Sequence, residues 1–301
     1  MQYDSGSYSG MFSRLQKEDP ILRPGYELLC MENGLAANPV SSYTALGANS
    51  EIEFYAIARS GEAPFLRAIM MVCFLPGQDQ NQYLLWAKTL AEQTGKPVII
   101  PVVRESNPSG RLLESINAVV RFAENVIAGK CRLLARNAVI DLFAYGLGIP
   151  AARFLTESSA TTVFQRSKVF LLAETATFCA PEWMKEVLIQ PEMDSDSGPV
   201  HSLRQLEPFM GWPVTGEHLQ NREHYFIINL KWHTPVPAFS SRGTTGAWDI
   251  DSAVSCINLG LNYTFDATDL FPVSFAQQQA QIDFYYAKIF KLASWFLCGI
   301  N

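Results

Sequence analysis

Residues 137–154, NAVIDLFAYGLGIPAARF, constrain this 301-residue chain more than any other stretch. Val139, Ile140, Leu142 and Phe143 make a short apolar run of the kind that forms a strand buried on both faces. Ala144-Tyr145-Gly146-Leu147-Gly148 must then turn the chain abruptly, because a helical pattern resumes at once with Pro150 in its first turn. A missing N–H costs little there. A buried strand feeding straight into a helix through a turn of small residues belongs to a layered α/β architecture.

The flanking segments repeat that alternation. Glu51 to Arg59 places Ile52, Phe54, Ala56 and Ala58 on one face of a half-buried strand, and Arg67 to Leu75 is a continuous apolar run expected in the middle of a sheet. Asn81 to Thr94 sets Leu84, Ala87, Leu90 and Ala91 on one helical face, with Gly95 as its stop. Pro97 to Val103 reads as a strand. Gly110 to Ala128 reads as a helix with a core face of Leu113, Ile116, Val120, Ala123 and Ile127, ended by Gly129. Lys168 to Ala173, Tyr225 to Leu230 and Val254 to Leu259 are further strands, and Ala276 to Leu297 is a closing helix with Ile282, Tyr286, Ile289, Leu292 and Phe296 near one face. The pattern predicts an α/β fold with a doubly wound, mostly parallel sheet. Residues 1–45, rich in Ser, Gly, Asn and Pro, read as an irregular arm, and 46–301 as the domain proper, with a cap-like insertion over about 180–223.

Bulk properties exclude several classes of function. A net charge of −6 argues against nucleic acid or an anionic membrane surface as the main partner. No apolar run reaches the about 18 residues of a membrane span, and the N-terminus lacks a basic start followed by an apolar block. The six cysteines are scattered without a C-x-x-C pair, as expected of reduced thiols in a cytoplasmic protein.

Four stretches in this order resemble the α/β-hydrolase superfamily over roughly residues 50–300. MMVCFLPGQDQ is similar to the strand and turn whose backbone helps to build an oxyanion hole. VIDLFAYGLGIPAARFL resembles the strand, nucleophile elbow and helix, with Ala144 and Gly148 at the positions that must be small. YFIINLKWHTPVP is similar to the strand and loop that bear the acid, and NLGLNYTF to the last strand and the loop that carries the histidine. The resemblance implies acyl-transfer chemistry through a nucleophile, an imidazole base and an orienting carboxylate. At the matched positions stand Gly146, which has no side chain, His233 in place of the acid, and Asn262, whose amide takes no proton at neutral pH. Loss of such groups costs on the order of 10⁴–10⁶ in rate.

Substitute chemistry is thin. Tyr145 adjoins the elbow but points differently from a nucleophile, and reads more readily as a pocket-wall aromatic. Glu174 ends the next strand, where some members of the superfamily hold their acid. It has no obvious base to serve and reads as a hydrogen-bonded or solvated carboxylate. His233 could exchange a proton in another reaction, yet a loop histidine beside Trp232 is ordinarily packed or exposed. His201, His218 and His224 lack metal-ligand spacing. Tyr145-Gly146-Leu147-Gly148 lacks the third glycine of a dinucleotide loop, and no other nucleotide or metal motif occurs. No cofactor and no metal are therefore expected. Asn262-Tyr263-Thr264 is a glycosylation triplet only by spelling, and Lys130, Arg132 and Arg136 read as a solvated basic cluster.

What remains is a concave site at the strand ends, with Trp183, Met184, Phe209, Met210 and Trp212 available as apolar lining. Backbone N–H groups of the Gly77–Gln78 turn and of Leu147 would aim at a carbonyl oxygen. The expected function is a catalytically degenerate, hydrolase-like protein that binds a small apolar carbonyl or acyl ligand, or a partner protein. The alternatives are a lyase- or cyclase-type enzyme using the residual oxyanion site, an esterase with an unrecognised nucleophile, and an interaction protein with a closed pocket.

Overall fold

The computed structural model describes residues 21–32, 34–40, 52–73, 80–101, 108–145, 148–157, 162–174, 205–206, 225–231, 245–246, 263–266 and 289–298. The strands are β1 (Tyr26–Glu32), β2 (Ala36–Pro39), β3 (Ile52–Arg59), β4 (Phe65–Val72), β5 (Val98–Pro101), β6 (Leu134–Tyr145), β7 (Val169–Glu174), β8 (Tyr225–Lys231), β9 (Thr245–Gly246) and β10 (Tyr263–Asp266). The helices are α1 (Gln80–Thr94), α2 (Pro108–Ile127), α3 (Gly148–Glu157) and α4 (residues 289–298).

All ten strands form one sheet in the order β2-β1-β3-β5-β4-β6-β7-β8-β10-β9. From β5 to β9 every neighbouring pair is parallel. The other edge is antiparallel, β3 against β5, β1 against β3, and β2 against β1. This mixed, mostly parallel sheet with helices on both faces is an α/β-hydrolase-like fold.

Side-chain alternation divides the core into two layers. In β6, Ala138, Ile140, Leu142 and Ala144 face α2 and α3, whereas Phe143 and Tyr145 face α1 and α4. Met70 and Val72 of β4 join the first layer, and Ile69, Met71 and Cys73 the second. An uninterrupted apolar strand is what a sheet covered on both sides requires. On the α1 and α4 side the layer is aromatic: Phe143 stacks on Phe170 at 5.5 Å and on Phe290 at 5.5 Å.

The expected helix faces are largely present. Leu84, Ala87, Leu90 and Ala91 are buried in α1, and Gly95 and Gly129 stop their helices at φ near +70°. Ile127 departs from the expectation and is 42% exposed, because toward its end α2 steps through Val119, Phe122, Ala123 and Val126, all buried. In α4, Ile289, Leu292 and Phe296 are buried, while Ile282 and Tyr286 lie outside the described residues.

The irregular arm expected over residues 1–45 is corrected over its second part, where β1 and β2 form an antiparallel hairpin extending the sheet. Leu28, Leu29, Cys30 and Met31 are all buried. The run is short, and its Gly- and Asn-rich surroundings mask it in composition. The strand expected over 254–259 and all of the insertion over 180–223 except residues 205–206 lie outside the described residues.

Candidate functional site

The start of α3 is constrained by a close backbone approach to β4. Ala144 pairs with Val72 across the β4–β6 ladder, and α3 begins at Gly148, directly over the end of β4. A β-carbon at Gly148 would lie 1.5 Å from the Val72 carbonyl oxygen and 2.4 Å from its carbon. No rotamer relieves an overlap with main chain, so only glycine fits. Two residues, Gly146 and Leu147, separate the strand from the helix. Both lie outside the described residues, and neither carries a hydroxyl or a thiol.

Tyr145 ends β6 on the α1 face. Its ring stands edge-on to Trp86 at 5.2 Å and 87°, and the residue is 6% exposed. Such a T-shaped pair contributes about 0.5–1.5 kcal/mol beyond the area it buries. Trp86 also meets Phe290 of α4 at 5.3 Å, so an aromatic chain runs from α4 to the end of β6. The tyrosine belongs to the core layer under the turn, which leaves its ring little open surface.

Cys73, next after β4, sits 7% exposed beside this turn. Burial pushes its thiol up, against a smaller opposing pull from a backbone hydrogen bond of Tyr145. A thiol held protonated in an apolar setting is a poor nucleophile. Cys30, Cys73 and Cys131 are buried and Cys298 is exposed, and none of the four is in a disulfide.

Glu174 is the last residue of β7 and pairs with Leu230 of β8. Gly77, Gln78, His233 and Asn262 lie outside the described residues, as do His201, His218, His224, Trp183, Met184, Phe209, Met210 and Trp212. β8 closes at Lys231, which sets His233 in the segment leaving its carboxyl end. β10 spans Tyr263–Asp266, so Asn262 precedes that strand in the sequence. No histidine occurs in the sequence beyond His233. Among the described residues no group of three His, Cys, Asp or Glu is placed to hold a metal ion, and no helix is long and apolar enough to cross a membrane.

A second polar locus escaped the sequence reading. Asp141 lies in the middle of the apolar run of β6, is fully buried, and stands level with the amino ends of β5 and β7. Four residues along a strand span about 13 Å, which puts it well away from Tyr145 and the elbow. Its Oδ1 accepts the Lys168 backbone N–H at 3.0 Å and lies 3.6 Å from Arg67 Nη2, and its Oδ2 lies 3.2 Å from Lys96 Nζ. Lys96 Nζ also donates to the Leu297 carbonyl, and Lys168 Nζ to the Phe296 carbonyl at 3.0 Å. The two lysines thereby receive the carboxyl end of α4, where the helix dipole favours cations. Burial pulls the Lys168 ammonium below its ordinary value; nearby Arg67 and Lys96 add to that, and Asp141 opposes it. A lone acid within an apolar strand run is itself a sequence signal, since a buried carboxylate demands partners.

No family model matches this sequence, and no curated protein does. Solved structures do resemble the fold. A variant of esterase rPPE complexed with (S)-Ac-CPA superposes with a TM-score of 0.51 at 9% identity, over 97% of this chain and 90% of that one. A second rPPE variant gives 0.50 at 9% identity over the same shares. A thermostable esterase from Pseudomonas putida ECU1011 gives 0.49 at 9% identity, also over 97% and 90%. At such identities the likeness is one of fold.

Proposed function

We propose that this chain is a catalytically degenerate member of the α/β-hydrolase architecture that binds a small, mainly apolar ligand carrying a carbonyl group. The reading rests on the step from β6 to α3. Tyr145 ends the strand, Gly148 begins the helix, and the two residues between them are Gly146 and Leu147. Serine-type acyl transfer needs an exposed oxygen or sulfur at that step, and neither residue supplies one. Two further observations support the reading. The Cys73 thiol nearby is held protonated, and no histidine follows β10 to act as a base.

What survives side-chain loss is backbone. A carbonyl oxygen between the N–H of Leu147 and those of the Gly77–Gln78 turn would be held as an oxyanion is held, with no atom placed to attack its carbon. Tyr145, Glu174 and His233 are then supporting residues rather than reacting ones.

Native mass spectrometry of the purified full chain, followed by extraction and identification of any bound molecule, tests the binding half. A stoichiometric ester, amide, ketone or acyl compound supports it. A ligand-free protein that takes up none of a panel of such compounds overturns it.

A further inference from the structure

The locus at the amino ends of the strands holds more positive charge than it neutralises. Arg67 and Lys96 both pair with Asp141, the only carboxylate paired with either among the described residues, while Lys168 gives that acid its backbone N–H and sends its ammonium to the Phe296 carbonyl. Both of its oxygens are already engaged. The carbonyls of Phe296 and Leu297 add only the partial charge of a helix end, about half an elementary charge. The excess is local, because the whole chain is acidic at −6.

Arg67 is the least satisfied member. Its Nε is buried without a hydrogen-bond partner, while the side chain as a whole is 40% exposed, so its outer edge faces solvent. Lys168 stands on the other side of Asp141, its ammonium 5.5 Å from the centre of the Phe296 ring.

We propose that a compact tetrahedral oxyanion of the inorganic phosphate type binds at this cluster, received by the outer guanidinium edge of Arg67 with the ammonium of Lys168 as its second cation. A guanidinium offers paired N–H groups that match two oxygens of such an anion, and an ammonium adds a point charge. One to two negative charges would neutralise the excess without disturbing Asp141. The depressed ammonium of Lys168 agrees with this, since an added anion stabilises its charged form. The site lies at the opposite end of the strands from the elbow and is independent of the function proposed for it.

The test titrates inorganic phosphate, and separately sulfate, into the full chain, followed by thermal melting and calorimetry, with sodium chloride at matched ionic strength as control. Saturable binding of phosphate absent from the chloride arm is the expected result. Arg67→Gln should weaken it at least ten-fold, and Arg67→Lys, which keeps the charge without the paired donors, by less. Should Arg67→Gln not fold, Lys168→Gln provides the same comparison. An equal response to chloride, or unchanged phosphate affinity in the folded variants, overturns the proposal. Co-sedimentation with phosphatidic-acid vesicles without any response to free phosphate overturns it as well, because the ligand would then be a lipid headgroup.

Discussion

Gly148 and Val72 meet main chain to main chain: a β-carbon on the glycine would stand 1.5 Å from the valine's carbonyl oxygen. The amino end of α3 is therefore seated on the carboxyl end of β4 with no room for a side chain. This contact fixes where α3 starts relative to the end of β4.

Gly148→Ala should consequently destabilise the fold by about 3 kcal/mol or more, because overpacking against backbone cannot be relieved by a rotamer change. Urea denaturation followed by circular dichroism measures it. A loss below about 0.5 kcal/mol, the usual range of a neutral surface change, would mean that α3 is not seated on β4.

Asp141→Asn removes the carboxylate that pairs with Arg67 and Lys96 and accepts the Lys168 backbone N–H. Breaking a buried ion pair from one side typically costs about 3–5 kcal/mol. The lower end is expected here, since Arg67 is 40% exposed and can turn to water. Denaturant unfolding at neutral pH reports the change. Protection of α4 amides in hydrogen exchange should fall with it, because Lys96 and Lys168 hold that helix's last carbonyls.

Lys168 predicts a pH dependence. Its folded-state value lies below the ordinary 10.5, so its protonated form is disfavoured by folding. The penalty is fully present below the folded value and is relieved as pH rises from that value toward 10.5. Wild-type stability should therefore improve relative to Lys168→Met across that alkaline window. A difference between the two proteins that stays constant with pH would refute the assignment.

Trp86→Ala should cost about 3–5 kcal/mol, the range for deleting a buried aromatic. The ring joins Tyr145, Phe143 and Phe290. Differential scanning calorimetry measures the loss, and near-ultraviolet circular dichroism should report disturbed tyrosine and tryptophan bands.

The thiols offer a check that needs no variant. In native protein at neutral pH, iodoacetamide should modify exposed Cys298 while leaving Cys73 intact, because burial keeps that thiol protonated. Peptide mass spectrometry distinguishes the two. Rapid modification of Cys73 would reopen it as a nucleophile.

The sheet and its helices were readable wherever a run was long or a turn sharp. Residues 137–154 announce β6 and α3 because an apolar strand and an immediate helix leave few other arrangements. β1 was lost because its four buried residues sit among glycines and asparagines that resemble a loop. The face of Tyr145 needed the strand's phase: a run apolar at nearly every position hides which residues share a side, and only the neighbours, Trp86 against Ile140's layer, reveal it. The Asp141 cluster was hidden for another reason. Arg67, Lys96 and Lys168 are far apart in sequence and each looks like a solvated strand end, until the parallel crossovers bring them to one level.

Ester hydrolysis by the purified wild-type chain, compared with Gly146→Ser, separates a degenerate site from an active hydrolase. Short- and medium-chain 4-nitrophenyl esters should show no turnover above the uncatalysed rate with wild type. The serine variant should show at most a weak acylation burst if the proposed degenerate site lacks a base to complete the cycle. Saturable wild-type turnover, abolished by an active-site-directed phosphonate, would show an active hydrolase instead.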